Sequence, residues 1–589
     1  MSMRINSIRQ AGGVNSIDNF ARSWQRAAGF FEIAPVRRSF ASYEDEDEIS
    51  RSRRDEEASP VSQRSLIREQ LEREGRPYDS EVGEMIDDGY SEAAGPADHP
   101  SAKKTMPSAD LFPHIGSPFA GSYGTSYGTL GSRANEASMR HAAQLWREQQ
   151  ETGRQGFDKE REPLLVKAVE QEDGKVVNVV VGQSTLPQTV FNSVNVLIGV
   201  GILSLPLGIQ YAGWLIGMGF LLFSAVTTSY TARLLAKCLD VDGSLVTFAD
   251  LAYVSFGPRA RIATSILFSI ELVGACVALV ILFADSLNAL IPGWDLLTWK
   301  IICGLVLTPL GFVPLRFLSF TSVLGILCTF GIVLMVFVDG FIKPHTPGSL
   351  REPAATYLFP QKWSTLPMSF GLLMAPWGGH SVFPNIYKDM RHPHKYNRGV
   401  KTTFIFTYLL DLSMAVAGLL MFGDLVLDEV TSNILMTKGY PQALSICIVL
   451  CIAIIPITKA PLNSRPIVST IEILAGLDAR AMASSSGLAG MSGFARGSLK
   501  VAIRLLVTIL YVIIAIVCPS FDRVMALMGN AACFTVCIIL PCSFYLKIFG
   551  AEISLKERIL NWFLIISCSI LATIGTVWAF LPNSAIDNM

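Results

Sequence analysis

From about residue 188 onward, apolar runs close to 20 residues long follow one another with only short polar loops between them. A helix of that length covers the ~30 Å of hydrocarbon in a bilayer, and hydrocarbon offers no partner for a backbone N–H or C=O left outside a helix. The chain is therefore held to an all-α, polytopic membrane bundle. The runs predict spans near 188–207, 214–236, 262–290, 299–315, 319–342, 366–387, 402–422, 441–460, 501–519, 524–546 and 559–581. The fourth of these eleven, interrupted by Pro309 and Pro314, is the least regular. Apolar residues surround each helix, so periodicity alone does not select its lipid-facing side.

Charge divides the chain in two. Residues 1–187 carry 23 Lys/Arg and 30 Asp/Glu, which leaves 25 and 19 for the other 402 residues. Stretches such as SYEDEDEISRSRRDEEASP (42–60) hold too few apolar clusters to offset the entropy of ordering them. The expected organisation is a disordered acidic tail over 1–187, a membrane domain over 188–581 and a short C-terminal end over 582–589. The first residues lack the apolar core and small-residue cleavage site of a signal peptide, so the first membrane helix is expected to direct insertion.

With the N-terminus in the cytosol, 19 Lys/Arg after residue 208 fall on the cytosolic side and six on the other. That asymmetry is the positive-inside pattern, and an odd number of spans then places the C-terminus on the far side. All eleven cysteines, from Cys238 to Cys568, lie in or near spans, which argues against a disulfide framework. In the tail, EREPLL (160–165) sets Glu160 four residues before Leu164 and Leu165. The spacing resembles the acidic dileucine addresses that sorting adaptors read on vacuolar or lysosomal cargo; the alternative is a surface pair without a role.

Two spans are broken in the middle by glycine and proline. FNSVNVLIGVGILSLPLG (191–208) and SFGLLMAPWGGHSVFPNIYKDM (369–390) open what read as two successive sets of five spans. Interrupted helices at matching places in two halves point to a transporter's binding site, whereas an isolated kink can be absorbed by neighbouring helices. FNSVNVLIGVGILSLPLGIQYAGW (191–214), GGHSVFPNIYKDM (378–390) and IIPITKAPLNSRP (454–466) together resemble the amino acid/auxin permease family, in its fungal vacuolar amino-acid transporter branch. The resemblance covers about 188–581. It implies two inverted five-helix repeats plus one extra helix, a leucine-transporter-like arrangement.

Backbone N–H groups freed around Gly199, Val200 and Gly201 suit a substrate carboxylate, helped by the positive end of a half-helix. Carbonyls freed around Trp377, Gly378 and Gly379 suit an α-ammonium, so a zwitterionic amino acid satisfies both sets. Trp377 and His380 are candidates for the selectivity wall; the competing readings are a packed aromatic and a neutral imidazole satisfied by a backbone carbonyl.

In sodium-coupled relatives, an Asn of the first span and a hydroxyl residue of the eighth help to hold the ion. Asn195 matches the first, but CIVLCIAIIP (447–456) contains no Ser or Thr, and this departure favours protons. Glu271, Asp411 and His380 are the ionisable groups deepest within predicted spans, with Glu271 the first choice for a proton path. Each acid also admits a structural role. Lys459 and Arg465 are placed near a cytosolic helix end, where snorkelling to headgroups accounts for them.

HPHKYNRG (392–399) reads as a solvated basic loop rather than a metal site. Neither GxxxxGK[ST], nor HExxH, nor a nucleophile elbow occurs, so ATP-driven pumping and the enzyme classes these motifs announce have no support. Neither cofactor, metal nor nucleic acid is expected. The sequence points to a proton-coupled secondary transporter of neutral or broad-range amino acids in the vacuolar membrane, with substrate, protons, the bilayer and a sorting adaptor as partners. The rivals are a sodium-coupled plasma-membrane importer and an amino-acid sensor with a signalling tail.

Overall fold

A computed structural model describes chiefly residues 181–474 and 493–581, with short gaps at 242–244, 246, 292, 314 and 551. Phe20, Ser23, Trp24, Ile586 and the strands Leu165–Glu170 and Val176–Val181 complete the described set. Eight helices among these residues are long and apolar enough to cross a membrane, and Leu296–Leu310 is a shorter apolar helix. With the two interrupted segments, the described residues contain eleven apolar segments, matching the eleven spans read from the sequence.

The first interrupted segment is α1 (Leu186–Leu197), a 3₁₀ turn (Val200–Ser204) and the start of α2 (Leu205–Asp240). Thr185 and Gln188 cap α1 reciprocally, each side chain accepting the other's backbone N–H. α2 is continuous only in name. At Gly213, φ is +71°, and the chain doubles back so sharply that a Cβ on Gly217 would lie 3.2 Å from the Ile209 Cα. A side chain at Gly213 would meet the Phe359 backbone at 2.5 Å, so both conformation and space demand glycine there.

A short helix, α3 (Phe248–Phe256), leads into α4 (Pro258–Leu290), α5 (Leu296–Leu310) and α6 (Leu315–Ile342). The second interrupted segment is α7 (Leu366–Met374), a 3₁₀ turn (Ala375–Trp377) and α8 (Phe383–Lys388). The chain continues through α9 (Tyr396–Phe422), α10 (Val430–Met436), α11 (Gln442–Leu474) and α12 (Gly493–Val517). The tenth span runs through α13 (Phe521–Leu527), a π-helical stretch (Met528–Ile539) and α14 (Leu540–Phe549), and α15 (Leu555–Phe580) is the last.

α4, α6 and α11 pack as one group, while α2 packs on α7 and α9; the two 3₁₀ turns touch each other at the centre. Lipid tails are as apolar as the helices, so association in a membrane rests on close packing. The crossing of α7, the π helix and α15 shows this: a Cβ on Gly529 would fall 1.8 Å from the Gly371 carbonyl oxygen, and one on Gly575 would fall 2.2 Å from Asn530 Oδ1. α12 and α15 turn Leu506, Ile509, Ile513, Ile566 and Ile570 outward.

Upstream of the bundle, Leu165–Glu170 pairs antiparallel with Val176–Val181, whose sequence VVNVVV is rich in the β-branched residues that favour strands. One sequence reading changes. The eighth span, placed at 441–460, belongs to a helix that continues to Leu474 through Pro456, Pro461 and Pro466. Lys459 ends the hydropathy signal but not the helix, because its charge is accommodated inside the bundle.

Candidate functional site

Both breaks follow from local chemistry. Past Leu197 the backbone turns extended at Ile198 and Gly199, and the 3₁₀ turn begins at Val200. Its first N–H groups have no preceding turn to bond. In the second segment, Pro376 and the extended Gly378 end the helix, and a loop to Val382 separates it from α8.

Between the breaks lies a cavity of about 190 Å³. Of the residues singled out in sequence, Asn195, Gly199, Val200, Gly201, Glu271, Gly378 and Gly379 line it. Gly199 has open space where a side chain would be. Glu271 reaches in from α4, with an oxygen 3.3 Å from the position of a Cβ on Gly378, and makes no hydrogen bond among the described residues. The Asn195 amide donates to Ser322 Oγ at 3.3 Å, which ties α1 to α6.

Trp377, His380 and Asp411 do not line the cavity. Trp377 is fully buried and stacked on Phe404, centroids 5.7 Å apart and planes 9° apart, and its carbonyl accepts the Cys537 thiol at 3.4 Å. The Gly379 carbonyl accepts the Val382 N–H at 3.0 Å, leaving the Gly378 carbonyl without a donor among the described residues. His380 faces α2, where Nε2 lies 2.9 Å from the Thr228 carbonyl and 3.0 Å from Thr231 Oγ1. Donation to that carbonyl fixes the tautomer with its proton on Nε2. Asp411 is buried on α9, and its Oδ2 has no hydrogen-bond partner.

The structure adds residues that the sequence reading passed over or explained otherwise. Lys459, rather than snorkelling, points from α11 into the cavity, where its ammonium donates to the carbonyls of Ile198 and, at 3.5 Å, Asn195. These carbonyls end α1, so the ammonium sits at the negative pole of the half-helix. Arg465 donates to the Val313 carbonyl between α5 and α6. Asn463, Cys533, Met525 and Met528 complete parts of the wall, and Trp24, from the tail, forms another. No sequence signal marks Trp24 for the cavity, since 171 residues separate it from Asn195 and no periodicity links them. Glu160 and Leu164 of the dileucine motif lie outside the described residues, while Leu165 opens the hairpin.

At the opposite end of the bundle, the loop entering α10 buries Glu429, whose carboxyl is pushed well above its usual range, first by burial and then by Asp285 and Asp428. Ser432 Oγ donates to it at 3.4 Å.

A membrane bundle whose two interrupted helices enclose a central cavity defines the class of a membrane transport protein. Residues 182–581 match the family described as transmembrane amino acid transporter protein, and the chain belongs to that family. Its relatives in Arabidopsis thaliana include amino acid transporter AVT1D, 31% identical over 68% of this chain and 70% of the relative. Amino acid transporter AVT1I is 29% identical over 69% of this chain and 97% of its own. Among solved structures, a substrate-bound Na⁺-coupled sialic acid symporter matches 67% of this chain and 95% of its own at 12% identity, with a TM-score of 0.37. A nucleobase-cation-symport-1 family transporter matches 69% and 92% at 12% identity, with a TM-score of 0.40. The fungal branch expected from sequence is not among these relatives.

Proposed function

We propose that this chain is a secondary active transporter that couples the movement of neutral or broad-range amino acids across the vacuolar membrane to protons. The family supports amino acid transport across a membrane. The observation that carries the reading is the pairing, in one cavity, of free N–H groups at the first break with Glu271, which has no hydrogen-bond partner among the described residues. A zwitterion spans such a site, its carboxylate on the Val200 and Gly201 N–H groups and its ammonium toward Glu271 and the Gly378 carbonyl. The ammonium is thus held by one carbonyl and one carboxylate rather than by the three carbonyls expected from the sequence. The basic loops support a cytosolic N-terminus, and Glu160, Leu164 and Leu165 support a vacuolar address.

The deciding experiment is uptake of mixed labelled amino acids into liposomes carrying the full-length protein, under an imposed proton gradient without sodium. Accumulation that collapses with a protonophore upholds the reading; accumulation only when sodium is added overturns it. Glu271→Gln is expected to lower substrate affinity and to weaken the response of uptake to the gradient. In cells, Leu164→Ala with Leu165→Ala should divert the protein from the vacuole, and unchanged localisation would remove the address.

A further inference from the structure

The carbonyls of Asn195 and Ile198 converge on one point at the end of α1, where the half-helix is negative and α6 and α11 close in. Hard oxygens at a helix C-terminus attract a cation, and the chain supplies one itself. Among the described residues, no carboxylate lies within ion-pair distance of the Lys459 ammonium, so these carbonyls are its partners. The stem passes beside Gly325 of α6, where an added Cβ would come into van der Waals contact with Lys459 Cε at 3.7 Å.

Resting on the transport reading above, we propose that Lys459 is the built-in cation of this transporter: its ammonium clamps the end of α1 to α11, and loss of its proton releases that clamp during the cycle. The N–H bond breaks toward cavity water or the Glu271 carboxylate, and the neutral amine that remains, lacking charge assistance, binds the carbonyls too weakly to hold α1 in place. Reprotonation restores the clamp, so one proton is taken up for each proton released. The titratable groups that share the cavity are Glu271 from α4 and Cys533 from the π helix. α1 and α6 contribute the non-titrating Asn195 and Ser322, and α5, α10 and α12, which also pack on α11, bring no side chain to the cavity.

The test uses the full-length protein in liposomes, with two readouts. Counterflow at equal pH reports substrate exchange, and uptake against a concentration difference under a pH gradient reports coupling. Lys459→Arg keeps a charge that a protein does not deprotonate, so it should exchange substrate with a rate that no longer follows pH and should fail to accumulate it. Lys459→Gln should likewise lose accumulation. A pH profile in Lys459→Arg matching that of the unsubstituted protein, or gradient-driven accumulation in Lys459→Gln, overturns the assignment. Should either variant fail to exchange, substrate-induced thermal stabilisation is followed across the same pH range, and an unaltered pH profile is again the overturning result. If the unsubstituted protein exchanges but never accumulates, proton-coupled transport fails as the function; a flattened exchange profile in Lys459→Arg would then leave the clamp standing.

A separate observation concerns the tail. Trp24 is only 7% exposed and packs against Val382 and Ile386 of the second broken segment and Val196 of the first. Beside it, Ser23 Oγ accepts the Asn192 amide at 2.6 Å and lies 2.5 Å from Ser184 Oγ, and Phe20 meets Phe191 edge-on at 5.1 Å. We infer that this tail segment is an internal ligand of the cavity mouth that holds α1 and α8 together and competes with substrate. Trp24 itself lines the cavity, so its ring occupies space that a substrate would need, and seated on both broken segments it resists movement of one against the other.

Trp24→Ala, made in the full-length chain, should raise the uptake rate severalfold and strengthen substrate binding. Unchanged rate and affinity overturn the inference. An independent readout places a cysteine at Val382→Cys, with Cys447 and Cys518 replaced, and labels it with a membrane-impermeant maleimide. Protection in the presence of Trp24 and reactivity after Trp24→Ala are expected; equal labelling in both overturns it.

Discussion

The two broken helices are written in similar residues and do different work. At the first break the backbone is presented to the cavity: Gly199, Val200 and Gly201 line it, Gly199 has empty space beside it, and the carbonyls behind it are held by Lys459. At the second, most polar groups are already used. The Trp377 carbonyl takes a thiol, the Gly379 carbonyl takes the Val382 N–H, and His380 is bound to α2. The first break chiefly exposes backbone to a ligand, and the second, apart from the Gly378 carbonyl, chiefly packs. Glycine thus serves two purposes, backbone exposure in one helix and close approach in the other.

If that contrast holds, truncating the packed break costs most. Trp377→Ala removes a buried ring stacked on Phe404 and should destabilise the protein by about 3–5 kcal/mol, as is usual for loss of a buried aromatic. Thermal unfolding in detergent measures this, and a near-neutral result would mean the ring is not part of the core. Gly379→Ala comes next. Its new Cβ would lie 2.4 Å from Val196 Cγ1, which forces α1 to shift and should cost about 1–3 kcal/mol together with most of the transport activity. Normal transport by this variant would show that the two segments can part there at little cost. His380→Gln ranks third, at about 1 kcal/mol for a rearranged buried hydrogen bond. Its transport should keep the pH profile of the parent, since the imidazole lies outside the cavity; a flattened profile would return His380 to the proton path.

The same division explains what was legible in the sequence. Span number, the two interruptions and the place of the cavity follow from hydropathy and from Gly and Pro, because a membrane enforces segment length and backbone satisfaction. Which polar groups reach the cavity does not follow, since it depends on helix rotation, and all-round apolar helices carry no rotational signal. Asp411 and His380 stand out in the sequence simply for being ionisable inside a span, yet neither lines the cavity. Lys459 was assigned to a headgroup region because hydropathy ended there, whereas the helix runs on to Leu474 and turns the amine inward. Trp24 was invisible for another reason: a single tryptophan in an acidic, Ser- and Arg-rich stretch carries no compositional signal of docking.

Gly199→Ala is the mildest change and the most discriminating. Nothing lies within 4 Å of the added Cβ, and φ at this residue, −133°, is open to any amino acid, so stability should move by less than about 0.5 kcal/mol. The methyl group nonetheless enters the space in front of the free N–H groups. Substrate affinity should therefore fall while unfolding temperature and expression stay constant, a separation that the packed glycines of the second break cannot produce. Equilibrium binding of a labelled amino acid to the purified variant measures the effect. Unaltered affinity would mean that the carboxylate is held elsewhere, and the assignment of ligand contact to the first break would have to be given up.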